Sequence, residues 1–218
     1  MHRKFSAYIM IVLLLCISGC GHKNNLDTAS SIGALTYSTV SVDDAQIAYR
    51  IYGKGEPLLM VMGFAGTMDL WDVEFIRELA KSNQVILFDN RGMGGSSAGT
   101  QPISITRMAD DSAGLLDALG YEKANVLGWS MGGLIAQELV LNHSEKVRKL
   151  ILMGTTCDNG PVVKTTQELM KMDTNTLLSH FFPKAWLKVH PDAISKLPHP
   201  EKPQNIERIK AQAAAMMN

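Results

Sequence analysis

The segment Gly128-Trp129-Ser130-Met131-Gly132 holds a serine with a glycine two residues away on either side. A serine hydroxyl is a poor nucleophile unless a histidine accepts its proton and a carboxylate holds that histidine. Context sets this serine apart. The apolar run ANVLGW ends just before it, and the helical stretch MGGLIAQELVLN begins just after it. That order puts Ser130 on a sharp strand-to-helix turn, where side chains at Gly128 and Gly132 would collide with the neighbouring strand and helix. The helix N-terminus also aims backbone N–H groups at whatever lies over the serine. The chemistry such an arrangement could do is attack on an acyl carbon. The plainer reading is a tight turn with an incidental serine.

The elements that must position Ser130 are legible as alternating patterns. LTYSTVSV and AQIAYRIYG, with Asp43 and Asp44 between them, predict a hairpin. PLLMVMG, QVILFD, ANVLGW and VRKLILMG are short apolar runs suited to strands buried on both faces of a parallel sheet. Between them, LWDVEFIRELAKS predicts a helix with Leu70, Phe75, Ile76 and Leu79 on one side. SITRMADDSAGLLDALG predicts another, closed by Gly120. Strands alternating with helices give an α/β fold with a mostly parallel sheet, whose site should form on loops at the carboxyl ends of the strands.

After Gly160 the pattern changes to helical stretches broken by prolines, with no further strand-like run. The division expected is a leader over residues 1–19, a polar tether over 20–34, a core over 35–160 and an incomplete helical segment over 161–218. At 46% hydrophobic and 19% charged residues, the 218-residue chain has the composition of a protein with a real core. Its formal charge is zero and no basic block follows the first four residues, so nucleic-acid binding has no electrostatic footprint.

The leader has its own logic. MHRK is basic, FSAYIMIVLLLCI is continuously apolar but short for a membrane span, and SGC supplies small residues before Cys20. This layout resembles a bacterial lipoprotein signal, which implies cleavage before Cys20, lipid modification of that cysteine and anchorage in the cell envelope. An uncleaved N-terminal anchor helix is the alternative. Either way the remainder is expected outside the cytoplasm. Cys16 lies in the apolar run, so Cys157 is left without an internal disulfide partner and is expected to be a semi-buried structural thiol.

Three motifs in order carry a second resemblance: MGFAGT (Met62 to Thr67), FDNRGMGGSS (Phe88 to Ser97) and GWSMGG. Over about residues 35–160 the chain resembles the α/β-hydrolase superfamily, serine-nucleophile branch, with the tail loosely like the start of a helical cap. The resemblance implies Ser130 as nucleophile and the backbone N–H groups of Phe64 and Met131 as the oxyanion hole. It implies hydrolysis of a small carboxylic ester, lactone or related acyl substrate through an acyl-enzyme, with no cofactor and no metal ion. Family members often carry histidine where this chain has Met62. Asp89 and Arg91 are tempting as catalytic groups, but the family loop is mainly architectural, and a buried Asp89–Arg91 pair holding a glycine turn is expected. That loop is neither a dinucleotide fingerprint nor a P-loop, since the third glycine and the Gly-Lys-Ser/Thr are missing.

The acid and the base are harder to place. The superfamily order is serine, then acid, then histidine. Asp158, just past the last apolar run, is the in-chain acid candidate. Of the later histidines, His143 is expected at a helix end facing away from the site, His180, His190 and His199 lie in the cap-like tail, and His190 and His199 are flanked by proline. The chain is therefore expected to be the N-terminal portion of a longer hydrolase. A non-catalytic or degenerate lipoprotein lacking the acid and histidine is the competing expectation.

Overall fold

The computed structural model describes residues 36–157, 172, 176, 179, 182–191 and 204–217. Cys20, Asp158, His180 and His199 lie outside the described residues, as do the expected leader and all of the expected tether.

The hairpin forms as strand β1 (Ser38–Val42) and strand β2 (Ala45–Tyr52), joined by Asp43 and Asp44, with Asp43 at a left-handed φ of 49°. β3 (Glu56–Val61), β4 (Asn83–Phe88), β5 (Ala124–Trp129) and β6 (Val147–Met153) complete a six-stranded sheet of order β1-β2-β4-β3-β5-β6. β2 pairs antiparallel to β4; the β4–β3, β3–β5 and β5–β6 pairs are parallel. The parallel part therefore grows outward from β3 in two directions, first to β4 and then to β5. Such a reversal leaves a crevice at the carboxyl ends of the two strands that flank it. Ser130 follows one of them and Met62 the other.

Helix α1 (Val73–Leu79) covers one face; α2 (Ile105–Ala118) and α3 (Met131–Asn142) cover the other. Strand residues alternate between the two apolar layers. Leu59, Val61, Ile86, Phe88 and Val126 pack toward α2 and α3, while Leu58, Met60, Val85, Leu87 and Leu127 pack toward Ile76, Trp71 and Trp129. α1 begins later than the apolar spacing suggests. The Asp72 carboxylate accepts the Phe75 N–H at 2.8 Å, which fixes the start at Val73, and Leu70 belongs to a separate 3₁₀ turn, Met68–Leu70. Ser104 caps α2 in the same way through the Arg107 N–H, and Gly120 ends it at φ +78°.

β6 departs from expectation. Its apolar run suggests a strand buried on both faces, yet Ile151 and Leu152 are each 45% exposed, and among the described residues β6 is an edge strand. Helix α4 (Lys184–Val189) and helix α5 (Ile206–Ala215) are the helices described beyond the sheet. α5 docks back onto it, with Ala215 in one apolar layer and Ile209 against the other.

Candidate active site

The serine turn is as tight as its glycines suggest. Ser130 stands between β5 and α3 at φ 55°, ψ −123°, a region that side chains rarely adopt and that costs on the order of 1–3 kcal/mol. The surroundings hold it there. Its N–H donates to Met153 O of β6 at 3.0 Å, and its carbonyl accepts both the Gly133 N–H at 2.9 Å and Thr155 Oγ1 at 2.7 Å. A Cβ on Gly128 would come within 2.7 Å of Gly133 Cα and 2.8 Å of Ala136 Cβ. One on Gly132 would come within 2.7 Å of the Val61 carbonyl carbon. The first glycine thus lets helix approach strand, and the second lets the helix start sit against β3. Gly133 is equally confined, because a Cβ there would strike the Thr155 side chain. The doubled glycine of GWSMGG is the signal for that third constraint.

The loop after β3 passes beside the serine. A Cβ on Gly63 would lie 3.1 Å from Ser130 Cβ, so Phe64, the next residue, enters the same crevice. Gly66 N–H donates to Gly63 O at 3.2 Å, and Ala65 inside that turn has φ 53°. Outside glycine, three described residues have positive φ, and two of them, Ala65 and Ser130, belong to this crevice. The structure thus sets Gly63, which precedes Phe64 in its loop, against Ser130, which Met131 follows. Among the described residues, neither Ser130 Oγ nor the N–H of Phe64 or Met131 has a hydrogen-bond partner.

The loop after β4 supports this arrangement from behind, though not as the sequence suggests. Asp89 and Arg91 do not pair. The Asp89 carboxylate accepts the Met68 N–H at 2.7 Å and the Gly95 N–H at 2.8 Å, tying the β3 loop to the β4 loop. Arg91 turns the other way and forks onto Asp111 of α2 with two bonds of 2.6 Å, plus Asp44 at 3.0 Å. The reason is local: two backbone N–H groups already fill Asp89, while Asp111 offers a second buried carboxylate to the guanidinium. Burial pushes the Asp89 pKa up to about 6 against the pull of those N–H groups. Asn90 completes the link by donating from Nδ2 to Met62 O at 3.0 Å.

The described histidines, His143 and His190, are bonded to groups other than Ser130. His143 is the C-cap of α3, at the end remote from the serine, with Nε2 2.8 Å from Asp110 Oδ1. His190 closes α4, stacks on Trp186 at 4.3 Å and has Nδ1 2.9 Å from Trp186 O. Cys157 is an exposed free thiol and not the semi-buried residue expected, since it follows the exposed edge strand β6. Among the described residues, no group of three His, Cys, Asp or Glu side chains could hold a metal ion.

One buried polar contact was not foreseen. Gln212 of α5 is fully buried and its Oε1 accepts the Ala65 N–H at 2.9 Å. It stands in line with Ile209 and Ala215 on the face of α5 that packs on the sheet. A glutamine on an apolar helical stripe is the signal that could have found it.

A mostly parallel sheet, helices on both faces and a glycine-bounded serine on a strained strand-to-helix turn define the class of α/β proteins built around a serine elbow. The model of the alpha/beta hydrolase fold family matches residues 56–189, more than half of the chain, and the protein belongs to that family. It is 43% identical over 111 residues to a protein of Azorhizobium caulinodans provisionally named carbamate hydrolase RutD, a match covering 51% of this chain and 42% of the relative. It is 35% identical over 122 residues to a poly(3-hydroxyalkanoate) depolymerase of Ectopseudomonas oleovorans, covering 55% of this chain and 43% of the relative. The matches thus span less than half the length of these two relatives. Among solved structures, an alpha/beta hydrolase fold protein from Chitinophaga pinensis superposes with a TM-score of 0.68 at 26% identity, covering 84% of this chain and 70% of that one.

Proposed function

We propose that this protein is a serine hydrolase acting on a small carboxylic ester, lactone or related acyl substrate. The observation that carries the reading is Ser130 held at φ 55° at the start of α3, with the loop after β3 against its Cβ. Ser130 Oγ would attack the substrate carbonyl carbon while a base takes the hydroxyl proton. The oxygen of the tetrahedral intermediate would rest on the N–H groups of Met131 and Phe64, each such donor being typically worth about 3 kcal/mol. Collapse would expel the leaving group with that proton and leave an ester on Ser130, and water would then release the acid and restore the hydroxyl. Similarity to proteins named carbamate hydrolase and 3-oxoadipate enol-lactonase supports small acyl substrates.

The base is a histidine and its partner an acid in this mechanism. Asp158, His180 and His199 lie outside the described residues. His143 and His190 are bonded elsewhere, and this favours a second reading, a non-catalytic protein that keeps the elbow without its base. Treatment of the leader-free chain with a fluorophosphonate, followed by mass spectrometry, separates the two. Stoichiometric modification of Ser130, absent in Ser130→Ala, is expected of the hydrolase. A folded sample that stays unmodified would establish the second reading. We further propose, from the resemblance of residues 1–20 to a lipoprotein signal, that the protein is anchored at the bacterial envelope through lipid on Cys20. Incorporation of labelled palmitate should vanish in Cys20→Ala, and its persistence would overturn the anchor.

A further inference from the structure

The turn Gly63-Phe64-Ala65-Gly66 is closed by the Gly66 N–H on Gly63 O, with positive φ at its third residue alone of the two central ones. That is the pattern of a type II turn, which favours glycine at the third position, yet this chain has alanine. Rotating the Phe64–Ala65 peptide by about half a turn would give type I, with Ala65 relaxed to negative φ. The same rotation would swing the Ala65 N–H away from Gln212 Oε1, to which it now donates at 2.9 Å. Gln212 is itself fixed, being fully buried, with Nε2 3.9 Å from Met108 Sδ of α2. Leaving that amide oxygen unmet at such depth is costly enough to offset the strain at Ala65.

From this geometry we infer that Gln212 is a positioning residue. By accepting the central N–H of the turn, it holds the Phe64–Ala65 peptide in its strained orientation and sets the direction of the loop beside Ser130. The Phe64 N–H belongs to the preceding peptide, so Gln212 bears on catalysis only through the position of the turn as a whole and rests there on the proposed role of that N–H; its hold on the turn does not. Docking of α5 and the shape of the oxyanion loop are then a single event, although 147 residues separate the two partners.

The test compares the full chain with Gln212→Met, which keeps the volume and loses the strong acceptor, and with Gln212→Met/Ala65→Gly. Amide exchange at Ala65, followed by NMR on folded protein, should quicken by about tenfold or more in Gln212→Met. Fluorophosphonate labelling of Ser130 should slow by about tenfold to a hundredfold, as for a small misplacement of a reacting group. The double variant should recover most of that rate, because glycine adopts positive φ freely. A general loss of stability would not be repaired by that second change. Unchanged Ala65 exchange, unchanged labelling, or no recovery in the double variant would each overturn the inference. If Gln212→Met does not fold, Gln212→Asn, one methylene too short, carries the same comparison. Should the wild-type chain not label at all, the hydrolase reading falls, and Ala65 exchange alone decides whether Gln212 sets the turn.

Discussion

Gly132→Ala should damage both the fold and the site, and the size of the effect follows from what a single methyl would meet. The added Cβ would stand 2.7 Å from the Val61 carbonyl carbon and 2.8 Å from Met62 O, and closer still to Val61 O. Ordinary contact begins near 3.4 Å, so α3 and β3 must separate by at least ~0.7 Å. These are backbone atoms at the carboxyl end of a buried strand paired on both sides, and they have no rotamer to change. Overpacking against rigid structure costs typically about 1–3 kcal/mol, and this site belongs at the upper end. With a urea m value of about 2 kcal/mol/M, the midpoint should fall by about 1.5 M. The helix start carries Met131 and Ser130 with it, so fluorophosphonate labelling should slow by about a hundredfold. Gly120→Ala is the control. Position 120 has φ +78° but nothing within 4 Å of the new Cβ, so only backbone strain of about 1 kcal/mol is expected there, with labelling unchanged. A Gly132→Ala protein as stable and as reactive as the Gly120→Ala protein would refute the argument that close backbone approach, and not conformational freedom, requires this glycine.

Three further outcomes follow from the buried charges and the exposed thiol. The Asp89 carboxyl should titrate near pH 6 by carbon NMR; its pKa lies above the unfolded value of 3.8, so its ionisation withdraws stability as pH rises through about 6, by roughly 3 kcal/mol for a shift of about two units. A midpoint at 4 or below would show the two N–H groups outweighing burial. Asp111→Ala leaves the Arg91 fork without its main buried partner and should cost about 3–5 kcal/mol in urea unfolding, a loss under 1 kcal/mol meaning that Asp44 suffices. Cys157 should react with a chromogenic disulfide reagent in the native protein at the rate of a free thiol, and a Cys157→Ser control that leaves the fast phase intact would contradict its exposure.

The serine elbow and the sheet were legible because their physics is local. An apolar run, a glycine-flanked serine and a helical stretch fix the turn within about fifteen residues, and β5 emerged with the bounds of ANVLGW. Contacts between distant segments were not legible. Asp89 and Arg91 are neighbours in sequence and were expected to pair. Their partners come from the β3 loop, from α2 and from the hairpin, and only the folded arrangement decides between them. Gln212 was missed for the same reason. β6 misled in another way: VRKLILM has the apolar content of a central strand, but its burial depends on neighbours that the strand's own sequence does not contain.

The backbone of Ser130 has a consequence for how this protein can change. Glycine at position 130 would take φ 55°, ψ −123° without penalty, so Ser130→Gly should raise the unfolding free energy by about 1 kcal/mol while abolishing nucleophilic chemistry. If Ser130 carries the proposed chemistry, improvement of the fold and retention of that chemistry pull in opposite directions. Any thermostability screen that never asks for turnover would drift toward that glycine. Under the proposed mechanism, a lineage released from selection for catalysis would lose the hydroxyl early and keep the scaffold.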